Sequence, residues 1–282
     1  MTLTEHAIHA LTKRAKKLLY GKFPGFAGSF PYCGVKVYFP ANSLIFQRAC
    51  EEKIYERDLV RLLSALVRPE TAYFDVGANI GLMSIPILQS CASCKVVSFE
   101  PSPHTFPYLQ RTADQSRFRD RWIVIPKASG DQNGTLEFHV FEPGLGAYDG
   151  FKDTKRGGIS RRITVPVTTL DSEWNVLGRP SVSVIKIDVE GAELQVLQGG
   201  KTCIQDQQSA VLIEWNSKNL VSYNCAPELI LEFACGIGYQ VFSLPYLCPV
   251  TNAKVLRLQM LQTENFLLVP DNYDVERFAF LY

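Results

Sequence analysis

Four short, largely apolar runs each end in a carboxylate: Ala72–Phe74 before Asp75, Val96–Phe99 before Glu100, Val182–Ile187 before Asp188, and Ala210–Ile213 before Glu214. A single acid at the end of a strand is ordinarily a helix cap. Four at one sheet edge are harder to explain that way, because crowded like charges repel unless cations or hydrogen bonds offset them. Such a group suits a cationic ligand, and it offers a proton acceptor to a reacting hydroxyl.

After the first run the chain reads Asp75-Val76-Gly77-Ala78-Asn79-Ile80-Gly81. Gly77 and Gly81 let backbone approach a ligand closely, and Asn79 tolerates the left-handed conformation. A nicotinamide-binding turn has G-x-G-x-x-G, which this stretch does not match, and no G-x-x-x-x-G-K-[ST] phosphate loop occurs in the chain. The turn carries no Lys or Arg, and a pyrophosphate beside it would meet Asp75. S-adenosylmethionine suits the charge pattern, since it has no phosphate and carries a cationic amine and a cationic sulfonium. Glu100 is placed to accept both hydroxyls of a ribose, as the acid ending the second strand does for other adenosine cofactors.

Holding these residues together requires a sheet. Strands over Tyr73–Asp75, Lys95–Glu100, Trp122–Ile125, Val182–Ile187, Ala210–Ile213, Tyr239–Leu244 and Phe266–Val269 alternate with helical segments. The pattern predicts an α/β, Rossmann-like, mostly parallel seven-stranded sheet with helices on both faces. Thr135–Phe141 and Arg162–Thr168 alternate with no helix between them, which predicts an inserted β-hairpin with a Gly-rich loop at its tip. Upstream, Ile54, Leu59, Leu62, Leu63, Leu66 and Val67 share one face of a single helix expected over 45–67 and closed by Pro69. Ser102 is expected to cap a helix through Ser116, with Pro103 at its first position. Val35–Phe39 reads as a short strand, Gly21–Gly34 as an irregular linker, and residues 1–22 as a basic amphipathic helix. Two parts are expected: an N-terminal helix and linker over 1–34, and one domain over 35–282.

Phe74–Gly81, Ser98–Pro101, Thr169–Asp171, Ile185–Glu193 and Leu197–Gly199 together resemble, in order and spacing, the FkbM family of S-adenosylmethionine-dependent methyltransferases. The resemblance implies a class I methyltransferase sheet and methyl transfer to a hydroxyl oxygen of a sugar or natural product. It implies that Asp75, Gly77, Asn79 and Gly81 hold the methionine end of the cofactor and Glu100 its ribose. Ser129, just past the third strand, is placed either to meet the adenine edge or to make a turn with Gly130. Asp188 and Glu190 are expected beside the transferring methyl, one of them as proton acceptor, with Lys186 pairing with them and Glu214 adding to the acceptor pocket. A structural alternative pairs Lys186 with one carboxylate and has Glu190 cap the helix that Glu193 opens. Nothing in the spacing of Asp188, Glu190 and Glu214 demands a magnesium ion, so no metal is expected. N-methylation on the same fold and a scaffold without chemistry are the competing readings. The intact acids and glycines argue against the scaffold.

Composition mainly excludes. Twenty-nine basic against twenty-eight acidic residues leave a formal charge of +1, which gives no field to attract nucleic acid. No run of about eighteen apolar residues predicts a spanning helix, and the N-terminus lacks the apolar core of a signal peptide. Ile8, Leu11, Ala15, Leu18 and Leu19 interleave with Lys13, Arg14, Lys16 and Lys17, so that helix either docks on the domain or rests on a membrane surface. Eight cysteines show no disulfide framework, and Cys91-Ala-Ser-Cys94 has no second pair to complete a zinc site. The expectation is a cytoplasmic enzyme acting on a small-molecule or glycan hydroxyl.

Overall fold

The acid-tipped runs lie side by side as strands of one sheet. In the computed structural model, which describes residues 27–52, 54–141 and 160–281, the chain opens with an antiparallel hairpin, β1 (Gly28–Tyr32) and β2 (Val35–Phe39). β3 (Ala72–Val76), β4 (Lys95–Phe99) and β5 (Trp122–Ile125) follow. A small sheet of β6 (Ala128–Ser129), β7 (Gly134–Phe141) and β8 (Ser160–Thr168) comes next. The chain then returns as β9 (Val182–Ile187), β10 (Ala210–Glu214), β11 (Tyr239–Ser243), β12 (Cys248–Pro249) and β13 (Asn265–Pro270).

The main sheet has the order β12-β11-β13-β10-β9-β3-β4-β5. Its five strands from β5 to β10 are parallel, and β13 runs antiparallel between β10 and β11. This is the expected Rossmann-like sheet, with one more strand than foreseen because Cys248–Pro249 adds a two-residue edge to β11. The order reverses between β3 and β9, and such a switch point leaves a crevice at the carboxyl ends of the strands. Fully buried parallel strands bury both faces, which is why they read as nearly continuous apolar runs. Tyr73, Val96, Val184 and Leu212 join Leu63, Ile85 and Leu109 on one face. Phe74, Val97, Ile185 and Ile213 join Trp174, Val196 and Ile204 on the other.

The inserted hairpin is present, and β6 pairs parallel with β8, tying it to the strand that follows β5. Three expectations are corrected. Gly28–Tyr32 is a strand rather than irregular linker, since every residue of it pairs with β2 and Tyr38 of β2 is anchored through Thr112 and Gln115. The single helix over 45–67 is two, Leu44–Glu51 and Arg57–Leu66. They are broken where the Tyr32 hydroxyl accepts the Tyr55 N–H at 3.1 Å and Glu56 turns left-handed at φ 46°. The helix after β4 starts at Phe106, not beside Ser102. Glu100 takes the Ser102 N–H at 2.8 Å, and the Ser102 hydroxyl takes that of His104, which leaves His104 exposed outside the helix.

The expected basic helix over 1–22 and the loop over 142–159 lie outside the described residues. No helix among the described residues is long and apolar enough to cross a membrane. All eight cysteines are free thiols, and burial pushes Cys94 of the Cys91–Cys94 pair up to about 12.

Arg121 closes the far end of the first crossover. Its guanidinium donates to the carbonyls of Leu88, Cys91 and Cys94 at 3.0, 3.0 and 2.6 Å, satisfying the C-terminus of helix Ser84–Ser90. Arg121→Ala is expected to cost about 2 kcal/mol in urea denaturation, because charged donors to buried carbonyls are among the stronger hydrogen bonds.

Candidate active site

Strand register builds the base of the site. Asp75 of β3 lies opposite Ser98 of β4 and Lys186 of β9, so three polar side chains form a row across an otherwise apolar face. Lys186 is buried, and its Nζ stands 3.1 Å from Asp188 Oδ2, 3.6 Å from Asp75 Oδ1 and 3.2 Å from the Gly77 carbonyl oxygen. Burial alone would lower the ammonium's pKa, but Asp188, Asp75 and Glu56 outweigh it and hold Lys186 charged. On the other side the Ser84 hydroxyl donates to Asp75 Oδ2 at 2.5 Å. An indole N–H only donates, so Ser98 accepts from Trp122 at 2.8 Å and passes its own hydrogen to Ser84 at 2.8 Å. Burial raises the Asp75 pKa, while Lys186 and Ser84 pull it back.

The turn lies over this row. Gly77 has φ 80°, and a Cβ on it would stand 1.8 Å from the Asp188 carbonyl oxygen, so nothing larger fits. Asn79 is left-handed at φ 49°, as expected, and its side-chain oxygen takes the Ile80 N–H at 2.9 Å. Glu100 Oε2 accepts the Asn79 N–H at 2.9 Å and Oε1 the Ser102 N–H at 2.8 Å, which joins the second acid to the turn. Gly81 serves a different purpose. A Cβ there would meet Trp122 and Leu109 at 2.7–2.9 Å, so this glycine lets the turn close on the core.

A cavity of about 300 Å³ opens above the switch point. Gly77, Asn79, Glu100, Ser129, Asp188 and Glu190 line it, six of the eight residues expected to form the site. Asp75 and Gly81 do not: Asp75 is fully buried one layer below, and Gly81 faces Trp122. At the β4–β5 side the Ser129 hydroxyl is buried and has no hydrogen-bond partner among the described residues. Lys127 beside it is paired with Glu173 at 2.7 Å.

At the β9–β10 side, oxygens of Asp188, Glu190 and Glu214 lie within 4.8 Å of one another. The three are made compatible by different partners. Burial would raise Asp188, but the Lys186 ammonium and a hydrogen bond from Glu214 prevail and hold it below the usual carboxylate range. Glu214 is pushed well up by burial and by Asp188, so it keeps the proton that the pair shares. Glu190 is left-handed at φ 59° and accepts from the Asn219 amide at 2.9 Å. The loop is capped by Glu193 rather than Glu190, because Glu193 Oε1 takes the N–H groups of Val189 and Gly191.

Sequence reasoning missed one wall. Arg48, Tyr55 and Glu56, from the broken helical segment, also line the cavity. Their apolar neighbours keep helical spacing straight through the break, so periodicity offered no signal for it.

The model of the methyltransferase FkbM domain matches residues 75–234. This chain belongs to the FkbM methyltransferase family. It is 32% identical over 151 residues to the hexuronic acid methyltransferase AglP of Haloferax volcanii, covering 53% of this chain and 58% of that protein. It is 28% identical over 156 residues to the 2-O-methyltransferase NoeI of Sinorhizobium fredii, covering 50% of this chain and 62% of that one. The FkbM chain thus spans 58% and 62% of the lengths of these two curated relatives. A crystal structure of methyltransferase FkbM from Methylobacillus flagellatus aligns over 80% of this chain and 52% of its own, at 16% identity and a TM-score of 0.49. The family match begins at Asp75, so Arg48, Tyr55 and Glu56 lie ahead of it.

Removing Lys186 leaves the fully buried Asp75 carboxylate and the partly exposed Asp188 without their shared cation. Lys186→Met is expected to destabilise this FkbM chain by about 3–5 kcal/mol in chemical denaturation, and adding Asp75→Asn should recover part of the loss.

Proposed function

We propose that this chain is an S-adenosylmethionine-dependent O-methyltransferase whose acceptor is a hydroxyl of a sugar or glycan. One observation carries the reading: at the switch point, a single cavity brings together the Glu100 carboxylate, fixed to the turn by the Asn79 and Ser102 N–H groups, and a buried Ser129 hydroxyl that has no hydrogen-bond partner among the described residues. The turn between them offers backbone and an amide but no cation for a phosphate. An adenosine without phosphates fits that donor and acceptor set, its ribose toward Glu100 and its base edge toward Ser129. Gly77 and Asn79 would hold the methionine end, with Asp75 acting from beneath by fixing Lys186 and, through it, the turn. When bound, the cofactor supplies an electrophilic methyl on a positively charged sulfur.

The chain's own task is then alignment and proton handling. Asp188 has a third of its side chain exposed (33%) and stays ionised beside Lys186, so it can accept the hydrogen bond of an acceptor hydroxyl and orient its oxygen. Glu190 stands next to it as the second acid of this assignment. Glu214, holding a proton, keeps Asp188 in place without adding a further negative charge. The names of the two relatives, a hexuronic acid methyltransferase and a 2-O-methyltransferase, support an oxygen acceptor on a sugar. A reducing cytoplasm, where thiols stay unpaired, is part of the same reading.

Calorimetric titration with S-adenosylmethionine and, separately, NAD tests the cofactor. Heat from the first alone is expected, and heat from NAD alone overturns the reading. Glu100→Ala is expected to weaken cofactor binding at least about tenfold with the fold retained. Asp188→Asn is expected to bind the cofactor as wild type does and to slow turnover by about a hundredfold. Mass spectrometry over a panel of methyl glycosides with labelled methyl donor reads that turnover.

A further inference from the structure

Glu56 has an unusual posture for an acid at the start of a helix. It occupies the cap position of helix Arg57–Leu66, where a carboxylate ordinarily folds back to accept a first-turn N–H, yet it makes no such bond. Its backbone is left-handed at φ 46°, a conformation that costs free energy in a residue with a Cβ. That posture is held from behind: Glu52 Oε2 takes the Glu56 N–H at 2.9 Å, and the Tyr32 hydroxyl takes that of Tyr55 at 3.1 Å. The carboxylate is left facing the cavity.

The groups around it set its charge. Tyr55 hydrogen-bonds to it, Arg48 faces it from helix Leu44–Glu51, and Lys186 and Asp188 face it from the end of β9. Five other acids line the cavity: Glu264 beside β13, Glu214, which shares a proton with Asp188, and three with strong local partners. Glu100 has two backbone N–H groups, Asp188 has Lys186, and Glu190 has the Asn219 amide. Burial, then repulsion from Asp188, raise Glu56 to about 7 against the pull of Lys186, Tyr55 and Arg48. Near neutral pH it is therefore a charge in this cavity that can come and go.

We propose that Glu56 makes the cavity discriminate by charge, favouring a cationic sulfonium ligand over the neutral thioether that methyl transfer leaves behind. The inference rests on the reading of the cavity as a seat for S-adenosylmethionine. In that reaction a bond forms between the acceptor oxygen and the methyl carbon. The carbon–sulfur pair stays on sulfur, and the hydroxyl proton passes to a cavity carboxylate. The spent product has lost its positive charge, so an ionised Glu56 attracts what must be bound more than what must leave. The sign with pH follows. Below about 7 Glu56 is protonated and the preference fades, and as pH rises through that value the preference grows.

The test is calorimetric titration of wild type, Glu56→Gln and Glu56→Asp with S-adenosylmethionine and with S-adenosylhomocysteine, from pH 6 to pH 8.5. Glu56→Gln is expected to lose about tenfold more affinity for the sulfonium than for the thioether at pH 8, and to flatten the pH dependence of their ratio. Glu56→Asp, which keeps the charge, is expected to retain the ratio within about threefold, and it guards against a loss of folding in Glu56→Gln. Equal weakening of both ligands, or an unchanged ratio, overturns the role of Glu56 while leaving the cofactor reading intact. Failure of wild type to bind either ligand overturns that underlying reading instead.

Discussion

A single buried ammonium holds this site together. Lys186 spans Asp75 beneath the turn, Asp188 at the cavity edge and the carbonyl of Gly77, and thus links the two strands that flank the switch point. Taking that ammonium out of water is costly, and the cost is offset only because two carboxylates and a carbonyl converge on it. The arrangement also explains how so many acids share one sheet edge. Each is assigned a different partner: a lysine, a pair of backbone N–H groups, an amide, or a proton held in common. The Lys186 ammonium and the proton on Glu214 reduce the negative charge there; the N–H and amide donors stabilise Glu100 and Glu190 without neutralising them.

The cavity is assembled from two sources. The sheet and its turn, within the family match, provide Gly77, Asn79, Glu100, Asp188 and Glu190. The hairpin and paired helices ahead of the match provide Arg48, Tyr55 and Glu56 as a covering wall. That wall is fastened to the domain through Tyr38, whose N–H goes to Thr112 and whose hydroxyl goes to Gln115. A stack of Phe39 on Phe46, with ring centroids 3.9 Å apart, joins the hairpin to the first of the two helices. The floor of the site therefore follows the family, while the wall belongs to the segment outside it.

The strands were legible in the sequence because a strand buried on both faces must be largely apolar, and each run carried an acid at or next to its carboxyl end. The placement of Asn79 and Glu100 at the cavity was legible for a related reason, since asparagine tolerates a left-handed turn and the acid follows directly on the second strand. Asp75 looked like a ligand contact from its position, but register with Ser98 and Lys186 makes it a buried anchor, and register is not visible in one strand at a time. Gly28–Tyr32 was hidden by its glycine and proline. The break at Tyr55–Glu56 was hidden because it is imposed by contacts with Tyr32 and Glu52 rather than by any helix-breaking residue. Tertiary contacts that override a sound local pattern were the common cause of these misses.

Trp122 joins two layers of the site. Its indole touches the position where a Gly81 side chain would stand, and its N–H begins the hydrogen-bonded series through Ser98 and Ser84 to Asp75. Tryptophan emission responds to the polarity and hydrogen bonding of the ring's surroundings. The chain thus carries a chromophore packed under its own turn, one that does not line the cavity above it. Of the three tryptophans, Trp122 is the one joined to that turn, while the indoles of Trp174 and Trp215 donate to the carbonyls of Pro180 and Pro227, so its ring surroundings are the ones that belong to the site.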